Sequence, residues 1–197
     1  MDTFRYILAL LFVLFLPPML LYWPIVHGFI GFWRRVGPVV TYAVVLWGGL
    51  GLAAFGLYQV RGLLLQGDLG TNWVLVALGA FCIGAGGWLR VLLHRTFSMA
   101  QLMGLPELSK ARDTQGLVRA GLYARVRHPR YLQYLLALLG YALVANYPAV
   151  YLIWLLWLPG VYVTVLFEER ELRQRFGPEY EEYCREVPRF LPRLGKG

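Results

Sequence analysis

Between residues 131 and 167 the chain carries no Asp, Glu, Lys or Arg, and this run constrains the fold more than anything else in the sequence. An uncharged stretch of that length either crosses a bilayer or fills a deep core, and nothing else in the chain is polar enough to bury it as a soluble hairpin. It is too long for one crossing, which takes roughly 20 residues of helix. Asn146, Tyr147 and Pro148 supply a turn signal near its middle. The run therefore reads as a tight helical hairpin, with arms of about 15 to 19 residues, near the lower limit for spanning the hydrocarbon. Pro159 and Gly160 are expected to kink or loosen the second arm.

The rest of the chain has the same solvent. Hydrophobic residues make up 58% and charged residues 15%, against roughly half and a quarter in soluble domains. Three further spans are expected, at 4–26, 38–60 and 72–93. The first contains Pro17 and Pro18, which remove backbone donors and predict a kink or break. Segment 27–37 reads as a short loop, with Trp23 and Trp33 placed like interfacial anchors. Pro38 opens the second span, where its missing donor costs nothing. Glycines at 48, 49, 51 and 56 and at 79, 84, 86 and 87 predict that spans two and three approach backbone to backbone. The expected fold is an all-α integral membrane protein of about five transmembrane helices. It is one domain, divided into three N-terminal spans (1–93), a cytoplasmic connector (94–130), the hairpin (131–167) and a cytoplasmic helical tail (168–197).

Charge sets the orientation. From Arg90 to Arg130 the chain has eight basic residues and only Glu107 and Asp113 as acids, so the positive-inside bias places this connector in the cytoplasm. The segment with Arg34 and Arg35 is then also inside, and the N-terminus and the nearly neutral loop after residue 60 are outside. Clustered Arg also suits nucleic-acid phosphates, but here it flanks apolar spans, so no nucleic-acid partner is expected and membrane lipids are. Cys82 and Cys184 have no neighbours at ligand spacing, which predicts neither a disulfide framework nor a metal site. The apolar N-terminus lacks an A-x-A-like site and reads as a retained span.

A hairpin that goes out and returns brings Arg127-His128-Pro129-Arg130-Tyr131 and Glu168-Glu169 to one membrane face. Pro129 suits the first turn of a helix, leaving the next backbone donors at a positive helix end, suited with Arg127 to a carboxylate or phosphate. Glu168 and Glu169 suit a cation, and Tyr123 and Tyr131 offer aromatic faces to a sulfonium or ammonium. Singly, each residue has a plainer role at a membrane boundary, in headgroup contact, dipole compensation or the aromatic belt. Together they describe a site for a zwitterionic or cationic cofactor.

The ordered pattern LVRAGLYARVRHPRYL, an uncharged hairpin, EEREL and RFGPEYEEYCREVPRFLP resembles the isoprenylcysteine carboxyl methyltransferase family of integral-membrane enzymes, which is related to the phospholipid methyltransferases. The resemblance covers residues 117–192. It implies an S-adenosylmethionine-dependent methyltransferase with its cofactor pocket on the cytoplasmic side. By motif, His128, Pro129 and Tyr131 line the pocket with Arg127 in support, and Glu168 or Glu169 holds the cofactor's amino or ribose groups. Leu172 packs on the adenine, and Gly121 and Tyr123 shape the approach loop. The implied acceptor is a lipophilic small molecule or lipidated substrate entering from the bilayer. Its catalytic residues are unassigned, with Arg125, Arg130 and Arg173 as candidates to orient an anionic head.

The resemblance implies O-methylation of a carboxylate, with a phospholipid amine or a thiol as the alternative acceptor. Two features depart from the family, Arg at position 130 and Gln133 where a small Gly is frequent. Membrane sterol reductases share R-H-P-x-Y and the V-P ending but use NADPH. The E-E-x-x-L run and the small size favour methyl transfer. A non-catalytic scaffold that kept the fold is the third reading.

Overall fold

A computed structural model describes residues 1–37, 40, 42–94 and 116–192. Among these residues the chain is helical, with no strand. α1 spans Asp2–Gly28, α2 Ile30–Val36, α3 Leu50–Gln59, α4 Arg61–Leu64 and α5 Trp73–His94. After a 3₁₀ turn at Gly121–Ala124 come α6, Pro129–Ala145, α7, Pro148–Phe176, and α8, Pro178–Glu186. Most of the expected connector, 95–115, lies outside the described residues, as do Pro38 and the extreme C-terminus from 193.

Among the described residues three helices are long and apolar enough to cross a membrane: Asp2–Tyr22 within α1, Trp73–Leu93 within α5, and Pro148–Phe176. This is fewer than the expected five. The second expected span divides into a π-helical stretch, Tyr42–Gly49, and the ten residues of α3. α6 is regular but has only 17 residues, about 26 Å at 1.5 Å per residue. α1 passes through Pro17 and Pro18 without interruption, and the expected loop at 27–37 contains α2, where Trp33 Nε1 donates to Ile25 O at 3.2 Å.

The glycines find a different partner from the one expected. α5 packs along α6, in antiparallel register: a Cβ on Gly79 would lie 2.7 Å from Gly140 O, one on Gly140 2.6 Å from Gly79 O, and one on Gly86 3.2 Å from Ala137 Cβ. Such backbone approach is what small residues permit between apolar helices. α3 instead leans on α1, and a Cβ on Gly51 or Gly56 would meet nothing within 4 Å. α1 also packs on α7, with Leu20 against Gly160.

Two residues separate α6 from α7. Asn146 makes the turn in the left-handed region at φ 57°, a conformation that Asn tolerates better than most residues. Its amide donates to Gly70 O at 2.9 Å, and its side-chain oxygen accepts from Tyr151 at 2.8 Å. Beside this turn Arg5 is fully buried. It donates to Ala145 O at 3.2 Å, pairs with Asp68 and Asp2, and lies 5.6 Å from the Tyr147 ring centre. The other end of α6 and α7 carries the remaining polar machinery. α7 does not stop where its apolar stretch ends at Phe167 but continues through Glu168 and Glu169 to Phe176, and Gly177, at φ 52°, turns the chain into α8.

Candidate functional site

At the far end from the Asn146 turn, the tail folds back on the entrance to α6. Arg127 N–H donates to Pro188 O at 2.9 Å and His128 N–H to Arg189 O at 3.1 Å. Tyr180, Tyr183 and Val187 form a buried apolar cluster with Leu117, Leu172 and Phe176, so the amphipathic α8 has a reason to dock. Tyr183 Oη donates to Tyr123 O at 2.6 Å, tying the 3₁₀ turn to the same cluster. Gly121 opens that turn at φ 64°, where a Cβ would be strained. Arg119 adds a bond to Glu179 O at 2.6 Å.

Glu169 is the hub of this end. Its side chain has no solvent exposure. Arg189 grips it with two bonds, Nε to Oε1 at 2.9 Å and Nη2 to Oε2 at 2.7 Å. His128 Nε2 lies 3.2 Å from Oε1, Arg127 Nη2 3.2 Å from Oε1, and Arg173 Nη2 3.5 Å from Oε2. Burial opposes the charged form, but the bonds from His128 and Arg189 and the charge of Arg127 outweigh it and hold the carboxyl well below the usual carboxylate range. The hub therefore remains anionic across physiological pH.

Glu168 stands differently. It keeps 23% of its side chain exposed and faces His128 Nδ1 at 3.7 Å and Arg130 Nη2 at 4.0 Å. His128 thus stands between the two carboxylates, with its ring centre 6.0 Å from that of Tyr131. Pro129 occupies the first turn of α6, and His128 caps the helix without a side-chain hydrogen bond. Arg130 is buried to 9% exposure and lies 5.3 Å from the Tyr131 ring centre. Burial pushes the Tyr123 hydroxyl up to about 12, so it stays protonated.

The fold thus gathers Arg127, His128, Pro129, Arg130, Tyr131, Glu168 and Glu169 in one place, with Tyr123 at its edge. Leu172 is turned into the tail cluster. Among the candidates for an acceptor contact, Arg125 is exposed on the loop, and Arg173 is paired with Glu169 and, at 2.9 Å, with Glu181. Arg189 carries no local signal, since nothing distinguishes an Arg after V-P until the tail closes on α6.

A cavity of about 550 Å³ adjoins this cluster between α1, α5, α6 and α7, with Tyr131 in its wall. Its size is within the range typical of small-molecule sites. Leu16, Leu138 and Trp157 are among its apolar lining, and Arg90 and Gln133, which lie outside the site expected from the motifs, are polar members.

A profile described as phospholipid methyltransferase matches residues 74–179. That segment contains α5, the R-H-P-x-Y junction and both glutamates, and it stops short of Arg189. Over 84 residues the chain is 38% identical to the cobalt-zinc-cadmium resistance protein CzcN of Cupriavidus metallidurans. The aligned stretch covers 42% of this chain and 38% of that protein, so the match spans well under half the relative's length. No solved structure matches the chain.

Proposed function

Because the chain belongs to the phospholipid methyltransferase family, which makes it a membrane methyltransferase, we propose that it transfers a methyl group from S-adenosylmethionine to a lipophilic acceptor in the bilayer, and that the acceptor is a carboxylate, as in the isoprenylcysteine carboxyl methyltransferases. The five-span topology, with α6 and α7 as a membrane hairpin and the cofactor on the cytoplasmic side, belongs to the same proposal. The observation that carries it is the arrangement around Tyr131, a cluster of opposite charges on one side and a lipophilic cavity on the other.

The residues fit an amino-acid cofactor. The uncapped start of α6, with Arg127 and Arg130 beside it, suits the cofactor's carboxylate. Glu168, the half-open member of the pair, suits its ammonium, while Glu169 is committed to holding Arg127, His128 and Arg189 in place. This divides a task that the motif assigned to either glutamate. Tyr131 and Tyr123 bring aromatic surface to a sulfonium. When bound, the cofactor supplies a sulfonium methyl, so that an S–C bond breaks as the acceptor's O–C bond forms, the electron pair stays on sulfur, and no proton moves with a carboxylate acceptor. An amine or thiol must first lose a proton. The protein's share of the work is positioning and exclusion of water.

Isothermal titration of the purified protein with S-adenosylhomocysteine and with NADPH tests the reading. Binding of the first alone is expected; binding of NADPH alone favours a reductase, and binding of neither a scaffold. Glu168→Ala and His128→Ala should each weaken S-adenosylhomocysteine at least tenfold, whereas Arg35→Ala should leave it nearly unchanged. The metal resistance in the relative's name is a property of that protein, and the described residues hold no group of three or more His, Cys, Asp or Glu on which to rest it here.

A further inference from the structure

Three restraints on His128 come from two consecutive residues of the tail, Arg189 and Phe190. The carbonyl of Arg189 accepts the His128 backbone N–H at 3.1 Å. The Phe190 ring centre lies 6.1 Å from that of the imidazole, opposite in kind to the Tyr131 contact at 6.0 Å only in coming from the tail, and both rings are tilted by 48°. The Arg189 guanidinium acts at one remove, on the carboxylate that meets Nε2. Its Nε and Nη2 reach the two oxygens of Glu169, and its Nη1 donates to Tyr162 Oη at 3.2 Å. Phe190 is itself seated against the buried cluster of Tyr131, Trp157, Val161 and Val165. Both tail residues lie beyond the segment 74–179 that the family profile matches.

A planar fork bonded to both oxygens of a carboxylate fixes its orientation as well as balancing its charge, which a point charge does not. Glu169 is anionic and can only accept, so the imidazole nitrogen facing it, Nε2, carries a proton. Nδ1 is thereby left facing Glu168, the more open of the two carboxylates, at 3.7 Å. We propose that Arg189 and Phe190 are positioning residues, which hold His128 ready for the cofactor with Nδ1 turned to the Glu168 side. This rests on the reading of the cluster as the S-adenosylmethionine site and adds the tail to that site. A ring already fixed has no rotamers left to lose when a ligand arrives, so the tail raises affinity without touching the ligand. The tail stays docked when the side chain at 189 changes, because Val187 is buried with Tyr180 and Tyr183 and Pro188 O accepts from Arg127 N–H.

The test uses the full chain in detergent, titrated with S-adenosylhomocysteine. The reactivity of His128 toward diethyl pyrocarbonate is read separately, by peptide mass spectrometry on protein without the cofactor analogue. Arg189→Gln should weaken S-adenosylhomocysteine about tenfold and Phe190→Ala about threefold. Both should speed modification of His128, which is slow in the wild type because the residue is only 4% exposed. Arg189→Lys keeps the charge but not the fork, so it should melt like the wild type yet recover only part of the affinity. In a His128→Ala background, Arg189→Gln should change affinity by less than about twofold, a loss of additivity that a purely structural role does not produce. Wild-type affinity in both Arg189→Lys and Phe190→Ala, or an undiminished effect of Arg189→Gln in the His128→Ala background, overturns the proposal. Should Arg189→Gln not fold, the other two variants decide it. If the wild type binds no S-adenosylhomocysteine, the methyl-transfer reading falls and the hold on His128 is judged on its reactivity alone: faster in the variants it stands, unchanged it falls. Normal binding with unchanged reactivity in every variant leaves methyl transfer in place and removes the positioning role.

Discussion

Two adjacent glutamates of one helix have been given different work by their surroundings. Glu169 points into a closed nest of Arg127, His128, Arg173 and Arg189, while Glu168 stays partly open toward His128 and Arg130. Removing one partner from a buried charge cluster costs about 3–5 kcal/mol, because the other charges are left uncompensated. Glu169→Gln should accordingly lower thermal stability in detergent by an amount of that order, followed by circular dichroism, whereas Glu168→Gln should barely change melting and instead weaken cofactor-analogue binding. The pH dependence follows from the same geometry. The folded-state carboxyl of Glu169 titrates below its ordinary 4.5, so its contribution is complete above that value and is lost as pH falls through the folded pKa. Melting of the wild type should decline below pH 4.5 more steeply than that of Glu169→Gln. Equal slopes would remove the hub from this role.

At the scale of elements, the glycine-rich helices illustrate how a motif can announce close packing without naming its partner. Small residues on α5 signal an approach, but only the assembled bundle shows that Gly79 and Gly140 meet, with α3 elsewhere. A methyl group at Gly79 has no room against Gly140 O and Val144; overpacking of this kind costs about 1–3 kcal/mol. Gly79→Ala should therefore destabilise the protein, while Gly84→Ala, which meets nothing within 4 Å, should be neutral or slightly stabilising through helix propensity. Comparison of the two melting temperatures checks this directly. The continuity of α7 has a functional side as well. Because one helix carries both Thr164 in the cavity wall and Glu168 in the charged cluster, the two halves of the site are rigidly spaced. A hinge at residue 167 would have left that distance loose.

The molecule as a whole has two polar ends separated by apolar helices. One is organised by buried Arg5 with Asp68, Asp2 and Ala145 O, the other by Glu169. They lie at opposite ends of α6 and α7, so damage at one should not reach the other's chemistry. Arg5→Met should reduce stability yet leave S-adenosylhomocysteine affinity within about twofold, as expected for distant sites without shared partners. Under the proposed topology, single cysteines at Gly67 and at Glu186, introduced in a background lacking Cys82 and Cys184, should react with an impermeant maleimide from opposite sides of a sealed vesicle. Labelling from the same side would reject the arrangement.

Helical class, the presence of helices apolar enough to cross a membrane and the junction at Arg127–Tyr131 were determined by the sequence alone, because runs without charge have few places to go and because Pro129 punctuates the backbone wherever it stands. The Asn-Tyr-Pro turn likewise lies where its residues predict it. What only the tertiary structure decided depends on contacts between distant segments. These are the pairing of α5 with α6, the uninterrupted passage of α1 through Pro17 and Pro18, the recruitment of Arg189 to Glu169, and the placing of Arg90 and Gln133 in the wall of one cavity. Residue type and spacing say that a charge needs a partner and a small residue permits an approach; which partner arrives is settled by how four helices share one volume.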